Sequence, residues 1–546
     1  MSTTPPLHER KALRDVVTPA DPLGPPYSEA LLRTSPEVFA QLYDETNHIH
    51  NVTRSENPSY IVGRKGAGKT AFLIGGALSE GAEVVLLQSE HLYTEVNRLR
   101  LRYEAINGPL VADNLVHVWE VLFFHAAMWR LSTSDTLGNS PARRRVWTYM
   151  TAFGDPMTLE ADALTARVSG LMLDALLNAP AHLAFREACW SIDPGQGSFL
   201  EAAAEARRAL EGCDVRVVVD NLEDLHKKLD AFESVITALF RVVSRRNVVA
   251  SGERLPFHTR FAFPAELLPR LSGLTANAEK DFLDYLLVRW TARELITLAG
   301  NRLRTFLDAY HPDAWRRLGL PHAHDPADRD AAELTLRTML PPRVVNGYRG
   351  EEDPVAYVMR HTQLLPRHLI EILNEIISPA VRAASEGRVP RATAAHVIDG
   401  VRRAEETIVR GILSTFSYRF GHIQEAIGMI KNHVGVVESE SRLHRAFNRA
   451  AVIRSGLDFD EFLDACLSIG ALGMVDEDAE TARYVVGEFA YTSIEPLRPV
   501  EDRERLCVHP LFMYRFFDRR IIQQLPGGTK AVYPYGSDPD HLSLHA

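Results

Sequence analysis

The segment 63–70 reads Gly-Arg-Lys-Gly-Ala-Gly-Lys-Thr, and it constrains the fold of this 546-residue chain more than any other feature. An apolar run at residues 60–62 precedes it, and a helical pattern follows it. The spacing GxxxxGK[ST] between a strand and a helix is typical of a phosphate-binding loop. Glycines let backbone N–H groups curve around phosphate, and the following helix N-terminus adds positive partial charge. The pattern therefore predicts a strand, loop and helix that bind a nucleotide.

Each position of this loop has a predicted role. We expect Lys69 to reach the β and γ phosphates, and the Thr70 hydroxyl to ligate Mg²⁺. ATP and Mg²⁺ are thus the predicted cofactors. The predicted nucleotide-binding residues are Gly63, Arg64, Lys65, Gly66, Ala67, Gly68, Lys69, Thr70 and Ala71.

A magnesium site beside such a loop needs an acidic residue at the end of a second strand. Residues 217–220 read Val-Val-Val-Asp, which places Asp220 in the predicted metal shell. No glutamate follows Asp220 directly, so Glu223 is the candidate general base, with Glu90 as the alternative. Glu223 and Asp224 also fit a second interpretation, as carboxylates favoured by the dipole at a helix N-terminus.

Five short apolar runs with strand character are separated by helical patterns. They begin at Tyr60, Glu83, Val215, Arg260 and Tyr285. Because parallel strands need helix-sized crossovers, this alternation predicts an α/β fold with the parallel sheet of a P-loop NTPase. The connection at about 95–210 is far longer than one crossover requires and has helical spacing, which predicts a helical insertion.

The chain beyond residue 291 has a helical pattern as far as about residue 474. Within its last part, residues 440–512 contain two helical segments followed by strand-like segments, an order typical of a winged helix. The predicted organisation is a flexible N-terminal segment (1–35), a P-loop ATPase core (36–305), a helical lid (306–415), a winged-helix domain (416–520) and a flexible C-terminal tail (521–546).

The composition excludes several classes of protein. Hydrophobic residues make up 46% and charged residues 24% of the chain, which excludes wholesale disorder and fibrous repeats. A net charge of -10 provides no general attraction for nucleic acid or anionic lipid, so any such binding requires a local basic patch. Four widely spaced cysteines without a CxxC pair predict a reducing, cytoplasmic location. No apolar stretch predicts a membrane span or an export signal.

Together these residues resemble bacterial P-loop ATPases of the AAA+/STAND type, in particular a poorly characterised set with loops reading GRKGxGKTA. Trp290-Thr-Ala-Arg-Glu-Leu after the fifth strand and Cys507-Val-His-Pro-Leu-Phe near the end resemble the same set. The resemblance spans roughly 36–520 and implies an ATPase core, a helical lid and a C-terminal winged helix.

The resemblance also implies a role for Arg367. It stands in Leu-Pro-Arg-His-Leu at a helix start, where a lid arginine of such ATPases contacts the γ phosphate. The alternative interpretation is a surface arginine at a helix start. Two family features are missing: residues 263–265 after the fourth strand read Phe-Pro-Ala without a polar sensor, and no GRExE element is present.

The sequence thus predicts an ATP-binding and ATP-hydrolysing switch or motor protein that acts through a homo-oligomer or a protein effector. The resemblance implies a place in bacterial conflict or anti-phage signalling. One alternative is a DNA-associated AAA+ ATPase of the origin-binding or transposition-helper kind. A second alternative is a nucleotide-stabilised scaffold with little turnover.

Charge distinguishes these alternatives in part. The second helix of the predicted winged helix, residues 458–469, is acidic and would repel phosphate, whereas a recognition helix normally carries basic or amide side chains. The first helix is basic, with Arg442, Arg445, Arg449 and Arg454. We therefore favour a winged helix that packs on protein over one that reads DNA.

Overall fold

A computed structural model describes most of the chain, as two compact units. The core unit comprises Asn47–Arg64 and Lys69–Val288, and the C-terminal unit comprises Met1–Thr46, Lys65–Gly68 and Arg289–Ala546. The described residues are 13–27, 38–39, 42–43, 45, 47–56, 58–134, 138–192, 199–210, 213–220, 229–247, 257–267, 285–320, 325–384, 388–492, 505–526 and 529–542.

A parallel sheet forms the centre of the core unit. Its described strands are β1 (Tyr60–Gly63), β2 (Glu83–Gln88), β3 (Val215–Asp220), β4 (His258–Pro264) and β5 (Tyr285–Leu287). Their order is β2-β3-β4-β1-β5, and every neighbouring pair is parallel. All six residues of β3 are buried, as expected for a strand covered on both faces. The predicted α/β class and parallel sheet are confirmed.

One core helix precedes β1, and the others lie between these strands in the sequence. They are α1 (His48–Glu56), α2 (Gly76–Ser79), α3 (Ser89–Asn107), α4 (Ala112–Thr133), α5 (Pro141–Met150), α6 (Ala161–Leu177), α7 (Phe185–Trp190), α8 (Phe199–Leu210) and α9 (Leu229–Asn247). In the described chain between β2 and β3, six of them, α3 to α8, form the predicted helical insertion. Helix α4 is apolar on nearly all sides and buries Trp119, Phe123 and Phe124. Such a helix is stable only inside a core.

The first part of the C-terminal unit is mainly helical. Its elements are α10 (Ala292–Tyr310), α11 (Ala314–Leu318), α12 (Arg329–Met339), the short strands β6 (Val344–Val345) and β7 (Glu351–Glu352), α13 (Pro354–Arg360), α14 (Pro366–Ala383) and α15 (Ala394–Phe416). Helix α10 begins with a capping box, in which Thr291 and Glu294 each bond the backbone N–H of the other. Such reciprocal bonds satisfy two of the four free N–H groups of a helix start.

A second sheet completes the C-terminal unit. The elements are α16 (Ile423–Ile430), β8 (Val437–Ser439), α17 (Glu440–Arg449), α18 (Phe459–Ser468), β9 (Leu472–Asp476), β10 (Tyr484–Glu488), β11 (Arg505–Val508), α19 (Met513–Phe516), α20 (Arg519–Gln524), β12 (Ala531–Pro534) and α21 (Pro539–Leu542). The described strand order is β12-β10-β9-β11-β8. Helices followed by strands agree with the expected order, and the winged-helix assignment and the domain boundaries stay predictions.

Described residues of both terminal segments make tertiary contacts, and the flexibility of these segments stays a prediction. Val17 and Leu23 are fully buried, and the Leu23 N–H donates to Asn374 Oδ1 at 2.8 Å. Near the other terminus, β12 pairs in parallel with β10. These anchors are tertiary contacts of a few residues, and hydrophobic periodicity does not reveal contacts of that kind. In the described part of the chain, every helix is too short or too polar to cross a membrane.

Candidate nucleotide-binding site

The glycine-rich loop connects β1 to a helix. Gly66 and Gly68 have φ angles of 91° and 84°, a region in which other residues are strained. The Trp290 indole N–H donates to the Ala67 carbonyl at 2.8 Å. A π-helical turn, Ala71–Gly75, follows the loop and continues into α2. Single π-helical turns occur frequently at functional sites.

Lys69 is buried at the base of the loop, with 8% of its surface exposed. Its ammonium group donates to the Gly63 carbonyl at 3.0 Å and to the Arg64 carbonyl at 3.1 Å. These bonds hold the cation over the first residues of the loop. An ammonium is a compact charge with three donors, so it can bind carbonyl and phosphate oxygens alike.

Thr70 and Asp220 are brought together by the sheet. Asp220 is the last residue of β3, lies opposite Gln88 in register and is buried. The Thr70 hydroxyl donates to the Asp220 carboxylate. Hydroxyl and carboxylate oxygens are ligands that Mg²⁺ accepts. The donor set of these two residues therefore fits the ion that the sequence predicted.

An ion pair joins the loop to the end of β4. Arg64 Nε lies 3.4 Å from Glu266 Oε1, and the two side chains are 14% and 10% exposed. In register, Gly63 lies opposite Pro264, so the residues that follow both strands meet at one sheet edge. Residues 263–265, where β4 ends, read Phe-Pro-Ala without a polar side chain, and Glu266 is the next residue along the chain. An acidic residue just beyond a strand end was the signal that could have found it.

Arg367 contacts the loop from helix α14. Its backbone N–H donates to the Gly66 carbonyl at 3.4 Å, and a methyl group on Gly66 would lie 3.1 Å from the Arg367 Cβ. The guanidinium lies over the Tyr27 ring, 4.5 Å from its centroid. Its predicted contact with a γ phosphate stays a prediction.

The acidic residues that the sequence suggested for the general base or for a helix N-terminus lie in different parts of the chain. Glu223 and Asp224 lie outside the described residues. Glu90 is exposed in the first turn of α3, directly after the edge strand β2. Within the described ranges, no group of three or more His, Cys, Asp and Glu side chains could hold a metal ion. Mg²⁺ commonly takes several of its ligands from water and phosphate rather than from the protein.

A parallel sheet with a glycine-rich loop between its first strand and a helix defines the P-loop ATPase fold. No protein-family model and no curated protein matches the chain. Among solved structures, the ORC2 protein of Aeropyrum pernix is 12% identical with a TM-score of 0.37, covering 93% of this chain and 95% of that one. A Walker-type ATPase of Pyrococcus abyssi is 12% identical with a TM-score of 0.33, covering 81% and 91%. At these identities and TM-scores, neither similarity supports a conclusion about the function of this chain.

Proposed function

We propose that the protein binds and hydrolyses ATP and works as a nucleotide-dependent switch or motor. The observation that supports this most directly is the hydrogen bond from Thr70 to Asp220, beside a loop whose lysine is already held in place. A hydroxyl at the start of a helix and a carboxylate at the end of a second strand are the two protein ligands that P-loop ATPases offer to magnesium.

In this proposal the chain's own residues bind and orient the triphosphate. The backbone N–H groups around Gly66 and Gly68 bind phosphate oxygens, and Lys69 exchanges its carbonyl partners for the β and γ phosphates. Thr70 and Asp220 would hold Mg²⁺, which when bound neutralises charge that develops on the phosphates. Asp220 also fixes the Thr70 hydroxyl through the bond already present.

In this proposal Arg367 contributes to the nucleotide-dependent switch as well as to ATP binding. Its helix α14 starts at Pro366, and its backbone contacts the loop at Gly66. A phosphate that attracts the guanidinium away from Tyr27 would act on the start of a long helix. The output would then pass to further copies of the chain or to a protein effector. The cytoplasmic location and a role in conflict or anti-phage signalling rest on the sequence and its family resemblance alone.

Thermal unfolding with Mg-ATP tests the proposal. Ligand at a hundredfold over its Kd stabilises a protein by about 2.7 kcal/mol, and Lys69→Ala should abolish this shift. Asp220→Ala should abolish only its Mg²⁺-dependent part. Lys431→Ala is the matched control, because Lys431 belongs to the C-terminal unit and pairs with Asp518. Equal responses of the wild type and Lys69→Ala to ATP would refute the proposal.

A DNA-associated ATPase is the second candidate, favoured by one observation. Helix α17 exposes Arg442, Arg445 and Arg449 on its surface. The adjacent helix α18 exposes Asp458, Asp460 and Glu461, which opposes phosphate binding at that face. A scaffold with little turnover is the third candidate, and a measured ATP hydrolysis rate distinguishes it from the first.

A further inference from the structure

Strand β4 occupies a special place in the core sheet. It lies between β1, which carries the glycine-rich loop, and β3, which ends in Asp220. Gly63 lies opposite Pro264, and Val219 lies opposite Phe261. The carboxyl ends of parallel strands form one edge, and ligands bind in the crevice there. Whatever follows β4 therefore stands between the phosphate loop and the magnesium carboxylate.

Glu266 is the acidic residue at that position. Arg64, the second residue of the loop, lies 3.4 Å from its Oε1, and this contact fixes one side of the carboxylate. Nine-tenths of the Glu266 side chain is buried. Its other oxygen, Oε2, is also buried and accepts no hydrogen bond from any described residue.

A buried acceptor without a donor needs an explanation, and a catalytic role or a bound water is the usual one. Water is the smallest donor that satisfies a carboxylate oxygen. We propose that Glu266 is a catalytic residue of the ATPase, whose Oε2 accepts a hydrogen bond from the attacking water. This inference rests on the proposed ATP hydrolysis and adds the group that activates its nucleophile.

The step balances with water as the co-substrate. The water oxygen forms a bond to the γ phosphorus while the bond from that phosphorus to the β–γ bridging oxygen breaks. The proton that the water loses passes to Oε2 of Glu266 and then to solvent. The products are ADP and inorganic phosphate. Arg64 is a positioning residue in this scheme, because it holds Oε1 and so directs Oε2.

The other carboxylates fit this role less well. Glu90 follows β2 at the sheet edge, where β3 and β4 separate it from β1, and its side chain is exposed. Glu223 lies three residues beyond Asp220, outside the described residues. Glu266 has a contact with the loop, through Arg64.

Single-turnover and steady-state kinetics of Glu266→Gln test the inference. The amide keeps the shape and loses the basic oxygen, so ATP should still stabilise the variant as it does the wild type. The kcat should fall by at least about a hundredfold, the usual contribution of a general base. Glu266→Asp, which keeps a carboxylate, should restore part of the rate. Glu233→Gln, an exposed glutamate on α9, is the matched control and should leave kcat unchanged.

The outcomes separate this inference from the function on which it rests. A wild type that binds no ATP, or binds it without turnover, overturns both. A wild type that hydrolyses ATP, together with Glu266→Gln at the wild-type rate, overturns only the role of Glu266. Loss of turnover in Glu223→Gln, with full activity in Glu266→Gln, also overturns only the role of Glu266. It would assign the general base to Glu223. A loss of turnover in Glu266→Gln that Glu266→Asp does not restore in any part would show that Glu266 is a structural partner of Arg64 and not the base.

Discussion

Single residues decide what the loop can bind, and short motifs identify most of them. The motif named Thr70, and the acidic strand end named Asp220, as members of one metal shell; the two side chains are hydrogen-bonded. The contact between Glu266 and Arg64 was not predictable, because Arg64 follows a different strand and the contact depends on the strand order. A local sequence pattern shows which residue types are present. A contact between two residues that follow different strands depends on the order of those strands in the sheet.

A buried acid and a buried histidine face each other in the C-terminal unit. Glu405 Oε1 lies 3.5 Å from His361 Nε2, and His361 Nδ1 lies 2.6 Å from the Tyr357 carbonyl. Burial raises the pKa of Glu405 well above its usual value, while nearby Arg360 opposes the rise. Burial and the charge of Arg360 lower the pKa of His361 well below its usual value. Both shifts favour the neutral forms of the two groups in the folded protein.

The raised pKa of Glu405 predicts a pH-dependent stability. The Glu405 carboxyl holds its proton more tightly in the folded state than in the unfolded chain. The contribution of this proton to the free energy of unfolding is therefore complete below about pH 4.5. It is lost as the pH rises through the folded-state pKa. We expect Glu405→Gln, which has no proton to lose, to have a higher Tm than the wild type at pH 8. The difference should vanish at pH 4.5.

Thermal melts across that range measure the effect. Glu406→Gln is the control, since the adjacent Glu406 side chain is 71% exposed, and its Tm should follow the wild type at every pH. A Glu405→Gln variant that is less stable than the wild type at pH 8 would contradict the raised pKa of Glu405.

At the scale of elements, close helix contacts depend on particular glycines. Helices α14 and α15 pack so tightly that a methyl group on Gly400 would lie 2.6 Å from Ile376 Cγ1 and 2.9 Å from its Cα. Gly411 in the same helix has nothing within 4 Å of that position. Gly400→Ala should therefore destabilise the protein by about 1–3 kcal/mol through overpacking. Gly411→Ala should stabilise it by roughly 0.5–1 kcal/mol, because alanine is the better helix former.

Urea denaturation of the two variants measures both changes, and each serves as the control of the other. Equal stabilisation by both alanines would show that α14 and α15 are not in close contact. The two glycines look alike in the sequence. Periodicity predicted helix α15 correctly, but only the packing partner distinguishes a glycine at a contact from one facing solvent.

For strands, as for helix contacts, some features are predictable from the local sequence and others depend on residues far away in the sequence. The five core strands were predictable, because buried parallel strands are short apolar runs between helical patterns. Strands β8 and β12 were not predicted. All three residues of β8 are partly exposed, and β12 follows a glycine-containing segment and pairs with a strand far away in sequence. Their existence depends on neighbours in the sheet rather than on their own residues.

At the scale of the whole molecule, the distribution of charge separates the switch from the DNA-associated ATPase. The net charge of -10 opposes nucleic acid binding in general. Locally, α17 exposes three arginines, and Arg442 has only a 3.5 Å contact with Glu438 at 70% exposure. Helix α18 is acidic, and its Asp464 pairs with Arg419 at 2.9 Å. Phosphate contacts could therefore come only from the α17 face of this pair of helices.

Titration of labelled duplex DNA at about 50 and 200 mM salt, with and without ATP, tests the balance of these charges. We expect weak binding without sequence preference, since three arginines beside an acidic helix neutralise few phosphates. Each phosphate contact adds roughly one unit to the slope of log affinity against log salt. The Arg442/Arg445/Arg449 alanine triple variant should then behave as the wild type does. Arg402/Arg403/Arg410 on α15 is the matched control triple, also exposed.

The opposite result would assign a different function to the same fold. Specific sub-micromolar binding with a steep salt slope, lost in the α17 triple variant and kept in the α15 triple variant, would mean that DNA is the partner of the nucleotide-dependent change. Weak binding that ignores ATP, together with an ATP-dependent change in oligomer size, supports the switch. A ligand shifts an equilibrium only by its differential affinity for the two states, so the assembly that changes with ATP identifies the output.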